Sequence, residues 1–373
     1  MNSTTETIVD APVILPYIQE IQEVAKRGHK DESTENLLLA FVEVYEQHPL
    51  QIEKFIAAFL HHAAQHSLEF TPRAFRLSLL TAVKLFLRLQ GIKAYAVFPV
   101  ARWKEVLFDC LHDQHTPFIQ SCLRDVSTVK IYRYIALQIL GGLLSRSHAL
   151  DSKGLTILDG GCSINIGLKC LNNLRLFQPI EITSEILTEL GGALCLFPLR
   201  YAVGIDKYPP SLERTLASLF PSEVTKWEAL YTHLYHLDQP AVDYQQHDIL
   251  CLDRDPAYQG RFDVVFLSSL LRRFLPHQIA DVLVQVNYAT SPNSFLVINE
   301  QMSKETIEGG GTYATFILPK QTLHHVVNTF PQAIDLYELL HLALQLLVYP
   351  DENCRKVLPG KDFHEFLQRE ALV

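Results

Sequence analysis

Paired cysteines are missing from this sequence. Its seven cysteines (110, 122, 162, 170, 195, 251 and 354) are scattered, with no CxxC pair. An odd count without a framework excludes a disulfide scaffold and reads as free thiols in a reducing compartment. The same scatter speaks against a zinc site, and no metal ligand set is expected. Adjacent histidines at 61–62 and 324–325 do not share a helical face. Basic excess is also missing: 32 Lys and Arg stand against 41 Asp and Glu, a formal net charge of -9 and a pI of about 6.0. Nucleic acid is therefore disfavoured as a bulk ligand. No long apolar run is present. The most apolar stretch, 337–349, is broken by Glu338, His341 and Gln345, and is too short to span a bilayer. The opening, MNSTTETIVDAP, is polar and acidic, unlike a secretory signal. These absences leave a soluble cytoplasmic protein with no membrane partner as the expectation. Internal repeats and low-complexity segments are absent as well.

The chain has 373 residues, 48% of them hydrophobic and 20% charged. That length suggests two domains, and the apolar content suffices for a core in each. Before residue 150 the periodicity is almost entirely helical. Apolar stripes at 3–4 spacing predict helices over 13–27, 36–45, 49–66, 71–90, 102–112 and 127–145. Ser33 is the expected cap of the second, and Thr71-Pro72 the start of the fourth. Only 95–100 alternates as a strand would. Residues 1–150 are thus expected to form an all-α domain that serves as a lid, a substrate platform or a dimerisation surface.

From residue 155 the pattern changes. Strands are predicted at 156–158, 202–205, 243–247, 262–267, 295–299 and 312–317. Helices are predicted between them at 166–176, 211–219, 277–288 and 323–330. Alternating strand and helix predicts an α/β domain over 151–373, with a doubly wound, mostly parallel sheet. The interdomain linker is expected near 145–153, rich in Ser and Gly. The organising stretch is 155–167, LTILDGGCSINIG, an apolar strand ending in Asp159 and then a tight turn of small residues. A ligand at such a turn sits at the strand's C-terminal end, facing the start of the next helix.

The LDGGCSINIG turn resembles motif I of class I S-adenosylmethionine-dependent methyltransferases, usually L-D-x-G-C-G-x-G. Leu158, Asp159, Gly161 and Cys162 match; Ser163 and Asn165 stand where glycines are usual. The turn is unlike the dinucleotide fingerprint G-x-G-x-x-G, which argues against NAD or FAD. The resemblance covers about 155–318 and implies the cofactor S-adenosylmethionine. It places the cofactor's amino-acid part near Asp159, Gly160, Gly161, Ser163 and Asn165. In AVGIDKYPP, Asp206 matches the acid that accepts the ribose hydroxyls, with Lys207 beside it. Asp206 lies 47 residues beyond Asp159, against about 20 in general for such an acid. The extra material, 178–200, is read as a helical insertion. In QQHDILCLD, Asp248 and Ile249 match the adenine-contacting motif. In FDVVFLSSLLRRF, Asp263 reads as structural and Ser268, with Ser269, as lining the cleft. SFLVINEQ matches the fifth strand and ends at Asn299 and Glu300, towards the substrate. Tyr132 and Arg133, at the end of the helical region, could also reach the cofactor.

Methyl transfer from a sulfonium needs mainly alignment and dehydration, so catalytic residues are faint in the sequence. A general base is needed only where the acceptor loses a proton. The candidates are Ser268, Arg272, His277 and Glu300. The His-Asp-Trp-type segment of many small-molecule O-methyltransferases is absent at 270–274, where Leu-Leu-Arg-Arg-Phe stands. Arg272 and Arg273 are suited to a carboxylate substrate. Three functional readings follow. The first is methyl transfer to a small molecule, as in small-molecule biosynthesis. The second is non-methyl use of the cofactor, either aminocarboxypropyl transfer or cyclisation releasing methylthioadenosine. The third is a non-catalytic module that binds cofactor or partner. A homodimer is one assembly open to the chain.

Overall fold

The apolar run after residue 154 forms a strand buried along its whole length, β1 (Leu155–Gly160). A strand covered on both faces requires an uninterrupted apolar run. The computed structural model describes residues 11–66, 68–112, 115–124, 129–146, 154–302, 313–351 and 353–370. After β1 come β2 (Glu181–Ile182), β3 (Leu199–Asp206), β4 (Val242–Gln246), β5 (Phe262–Ser268) and β6 (Thr290–Gln301). Then follow β7 (Tyr313–Pro319), β8 (Leu344–Tyr349) and β9 (Lys356–Pro359). They make one sheet in the order β2-β9-β8-β7-β6-β5-β1-β3-β4.

Five strands, β4, β3, β1, β5 and β6, pair in parallel. Counted among themselves in chain order they run 3-2-1-4-5, the doubly wound arrangement. The order reverses between β1 and β5, so their C-terminal ends flank the switch point, where such sheets bind ligands. Beyond β6 the sheet turns antiparallel through β7, β8 and β9, and β2 closes that edge in parallel with β9. The expectation of a doubly wound, mostly parallel α/β sheet agrees with this topology.

Two compact units divide the chain: Met1–Thr128 with Ser211–Thr232, and Val129–Pro210 with His233–Val373. The expected boundary at 150 therefore moves, and the predicted helix at 211–219 joins the helical unit. The physical reason lies in that unit's own contacts. Arg88, wholly buried, pairs with Glu213 at 2.6 Å and with Glu228 at 2.8 Å. Arg214 donates to the Arg124 carbonyl at 2.6 Å, and the buried Lys84 donates to that of Leu219 at 2.7 Å. Asp31 caps the helix Glu32–Gln47 through Thr34 N, and its other oxygen accepts from Ser222 N at 3.1 Å. The expected cap, Ser33, instead donates to the Tyr95 carbonyl. Around these polar ties packs a core that includes Phe41, Phe55, Phe59, Phe75 and Trp103.

Further differences sit in the sheet unit. Residues 166–176 do not form one helix. A 3-10 turn (Leu168–Cys170) and a four-residue helix (Leu174–Phe177) flank Asn172, whose φ of +63° breaks the helix. Ile166, Leu168 and Leu171 are buried, so their apolar spacing reflects core packing and no regular helix. The 178–200 insertion is helical only over Ser184–Glu189; it also contributes β2. The segment 95–100 contains a 3-10 turn, Tyr95–Val97, in place of a strand. The predicted helix over 127–145 begins with a single turn, Ile131–Tyr134, and continues as Ile135–Arg146. Of the linker expected near 145–153, Ser145 and Arg146 end the helix Ile135–Arg146, while 147–153, like Thr312 of the last predicted strand, lie outside the described residues.

Candidate functional site

The turn after β1 is held in place by β3. Gly161 N and Cys162 N both donate to the Ile205 carbonyl, at 2.9 and 3.1 Å. Ser163 N donates to Asp206 Oδ2 at 2.9 Å, and Tyr208 N donates to Oδ1 at 3.1 Å. The carboxylate at the end of β3 thus fixes the loop after β1. Gly161 has φ +75°, and Ser163 and Asn165 also take left-handed angles, +58° and +56°. For residues with a β-carbon that geometry costs about 1–2 kcal/mol. Asn165 offsets its share by donating from Nδ2 to the Asp243 carbonyl at 2.6 Å. Its side chain lies across β3, where Gly204 has no β-carbon: one placed there would stand 2.3 Å from Asn165 Oδ1. Asn165, expected among the cofactor contacts, here braces the turn against β3 and β4.

Asp159 is buried in β1 between β3 and β5. Tyr134, from the single turn before Ile135–Arg146, donates its hydroxyl to Asp159 Oδ2 at 2.6 Å. Burial raises the Asp159 carboxyl from 3.8 to about 7; the Tyr134 hydrogen bond opposes that rise, and Asp206 adds to it. Burial likewise holds the Tyr134 hydroxyl well above its ordinary value, and the Asp159 charge adds to the effect. The Tyr134 ring fills the space beside Gly167, where a β-carbon would stand 1.8 Å from Tyr134 Cζ. The sequence alone does not reveal this tyrosine's acid partner. The weak signal was an acid at the end of an all-apolar strand, which needs a donor from somewhere.

Asp248 follows β4 and caps the 3-10 segment Ile249–Arg254 by accepting from Leu250 N at 3.0 Å. Ile249 is buried with its Cδ1 3.1 Å from where a β-carbon on Gly160 would be. Gly161 is the more open position: a β-carbon there meets only the flexible end of Leu270, at 3.0 Å. Lys207 is exposed, its ammonium 5.7 Å from the Tyr208 ring. Tyr132 is half-buried on the same single turn as Tyr134.

A second polar group gathers at the ends of β5 and β6. Ser268 and Asn299 are register partners across the two strands. Arg133, buried, donates to Ser269 Oγ at 2.7 Å, and its guanidinium carbon lies 4.6 Å from the Tyr313 ring centre. Ser269 itself has φ +54°. Glu300, 1% exposed, faces Arg272 Nε at 3.5 Å, and Arg272 also donates to the Tyr313 hydroxyl at 3.2 Å. Burial raises the Glu300 carboxyl while Arg272 holds it back. Arg272 thus serves an internal acid, and a carboxylate substrate at Arg272 would compete with Glu300. His277 is exposed at the start of the helix Pro276–Ala289 and takes no part. Asp263 accepts from Thr156 N and Oγ1 at 2.8 and 2.6 Å, tying β5 to β1, as its structural reading requires. A solvent-open depression lined by Lys169, Asn172, Arg175 and Gln239 includes none of the predicted site residues.

The strand order, the turn after β1 and the acid after β3 define a class I methyltransferase-like α/β fold. No protein-family model and no curated protein matches the chain. Solved structures do. An S-adenosylmethionine-dependent methyltransferase from Mesorhizobium loti is 19% identical over 43% of this chain and 54% of its own, with a TM-score of 0.23. The plantazolicin methyltransferase BpumL, solved with a desmethyl-plantazolicin analogue and S-adenosylhomocysteine, is 15% identical over 62% of each chain, TM-score 0.29. The [4+2]-cyclase SpnF is 17% identical over 44% of this chain and 45% of its own, TM-score 0.22. Across four such structures this chain spans between 52% and 62% of the other's length. Likeness at these scores says nothing of what this chain binds.

Proposed function

We propose that this chain is an S-adenosylmethionine-dependent transferase that moves a methyl group to a small-molecule acceptor. The observation that carries the reading is the join between the turn after β1 and Asp206 at the end of β3, beside the switch point of a 3-2-1-4-5 sheet. The residues suit the cofactor. Asp206 accepts a backbone amide on each oxygen, and the paired oxygens of a carboxylate match a vicinal diol. Ile249, beside Asp248, offers an apolar surface for adenine. Gly161, at φ +75° and without a side chain, lets the backbone approach a ligand closely. No regular helix follows the turn, so an anion there would be met by turn amides without a helix dipole.

When bound, the cofactor supplies an electrophilic methyl group. The chain's own part is to orient it, exclude water and handle the acceptor's proton. Ser163 and Asn165 adopt the positive φ that glycine would supply. The departures from the glycine pattern therefore do not by themselves call for another cofactor pose, and methyl transfer is preferred over the non-methyl reading.

Incubation with S-adenosylmethionine and an acceptor library, with identification of the sulfur product, tests the reaction. S-adenosylhomocysteine is expected; methylthioadenosine would favour the non-methyl reading, and no binding of either by calorimetry would favour the non-catalytic one. Asp206→Asn should weaken S-adenosylhomocysteine roughly tenfold or more, because a hydrogen bond to a charged acceptor is lost. Unchanged affinity would sink the placement of the ribose at β3.

A further inference from the structure

The solvent-open depression that holds Lys169 and Arg175 lies at the other end of the sheet from Asp206. Asn172, in its wall, makes two hydrogen bonds to the Phe197 backbone: Nδ2 donates to the carbonyl at 2.9 Å, and Oδ1 accepts from the amide at 3.1 Å. Phe197 stands just before β3, which starts at Leu199. The carbonyl of Gln239, also in the wall, accepts at 2.8 Å from the amide of Val242, the first residue of β4. The depression therefore opens beside the N-terminal ends of β3 and β4. At about 3.3 Å per residue the two ends of β3, Leu199 and Asp206, stand roughly 23 Å apart. All the lining residues belong to the sheet unit.

The depression has a volume of about 450 Å³, within the range of roughly 300–1,000 Å³ for small-molecule sites. Its lining carries two cations, Lys169 and Arg175, and no acid. In a chain of net charge -9 that is a local reversal of sign. The Lys169 ammonium donates to the Tyr235 carbonyl at 2.8 Å, which fixes its position and leaves two of its three protons. Burial holds that ammonium below its ordinary range, and the charge of the exposed Asp238, outside the lining, opposes the effect. Arg175 is exposed and has no ion-pair partner among the described residues, so its guanidinium fork is open. The loop that carries both cations is tied down at its middle, where Asn172 N donates to Gln138 Oε1 at 2.8 Å. Leu171, Leu174 and Leu237 supply an apolar wall.

We propose that this depression is a second ligand site and that it binds a phosphomonoester. Two cations without an acid match the charge of such a group, about -1.5 to -2 at pH 7. Arg175 takes two of its oxygens in a bidentate way, and Lys169 takes the charge as a point cation. A carboxylate carries a single charge and leaves the second cation unmatched. Inorganic sulfate has the charge but nothing to lay on the leucines. The volume beyond the phosphate receives an apolar or aromatic group against Leu171, Leu174 and Leu237. The ligand is held and not transformed: no bond is made or broken. The site stands apart from the turn after β1 and does not depend on the transferase reading.

The test is titration calorimetry of the full chain at low salt with phenyl phosphate, benzoate and inorganic sulfate. Phenyl phosphate should bind tightest. Benzoate should bind roughly tenfold more weakly, the value of one hydrogen bond between charged groups. Sulfate should be weaker by several-fold, because it buries no apolar surface. Arg175→Gln should weaken phenyl phosphate roughly tenfold or more. Its thermal midpoint should stay where it is, since an exposed side chain without an ion-pair partner is replaced. Lys169→Gln can still donate to the Tyr235 carbonyl, and it too should weaken phenyl phosphate. The site is overturned if phenyl phosphate does not bind, or if its affinity survives Arg175→Gln unchanged. Benzoate binding as tightly as phenyl phosphate overturns the charge match. Sulfate binding as tightly as phenyl phosphate reduces the depression to a bare patch of charge and overturns the site as well.

Discussion

Asp159 should make the sheet unit weaker as the pH rises, and Asp159→Asn should cancel the effect. In the folded chain its carboxyl titrates at about 7, against 3.8 in the ordinary state. A raised carboxyl binds more protons folded than unfolded, so unfolding becomes easier as pH climbs from about 4 to about 7. A shift of that size is worth about 4 kcal/mol in all, of which about 3 kcal/mol is lost between pH 5 and pH 8. Asparagine keeps the shape and can still accept from Tyr134, but it carries no charge to bury. Wild type should therefore lose about 3 kcal/mol relative to the variant across that interval. The assay is urea unfolding at pH 5, 6, 7 and 8, followed by amide exchange in β1. Tryptophan fluorescence would miss the effect, because Trp103 and Trp227 both belong to the helical unit. A wild-type-minus-variant difference that stays flat, or that moves in wild type's favour with pH, would refute the buried-acid account.

Lys84 provides the opposite sign in the other unit. Burial lowers its ammonium from 10.5 to about 8, so the folded chain binds fewer protons between those values. Relative to Lys84→Met, wild type should gain about 3 kcal/mol as pH rises from 8 to 10.5, read by Trp103 fluorescence in urea. Gly167→Ala drives a methyl group into the Tyr134 ring and should cost about 3 kcal/mol or more in chemical denaturation, the upper end for overpacking. An unperturbed variant would mean that the ring and the turn are not in contact.

Legibility from sequence followed the physics of each segment. Of the five parallel strands, β1, β3, β5 and β6 were readable because each contains a short apolar run ending in a polar residue, whereas β4, VDYQQ, is a half-exposed edge strand without such a run. β8 was not: it sits in the apolar stretch 337–349, where Leu336–Leu342 turns helical and only the remainder pairs with β7. β2 has two residues and is defined by its partner β9, which no local pattern reveals. The failed helix at 166–176 shows how a wholly buried irregular loop imitates amphipathic spacing. At the proposed site, Asp159, Gly161, Ser163, Asp206, Asp248 and Ile249 were expected from motifs that close strands, and they stand at or just beyond the ends of β1, β3 and β4. Tyr134 and the Arg133–Ser269 contact were less accessible. They join residues 25 and 136 positions apart, and such pairings exist only once the sheet has formed. Lys207 and His277 were chosen by adjacency to motifs, and both face solvent.

The helical unit is assembled from two stretches of chain, Met1–Thr128 and Ser211–Thr232. This imposes an order on biosynthesis. A ribosome has already released the codons for β1 and β3 before it supplies Glu213, Ser222 and Glu228. Until then Arg88 has neither carboxylate, Lys84 has no Leu219 carbonyl and one oxygen of Asp31 has no Ser222. The helices of Met1–Thr128 are therefore synthesised before those partners, and a fragment cut at residue 128 would lack them. The turn and acid of the sheet unit thus precede, in order of synthesis, the segment that completes the helical unit's polar contacts.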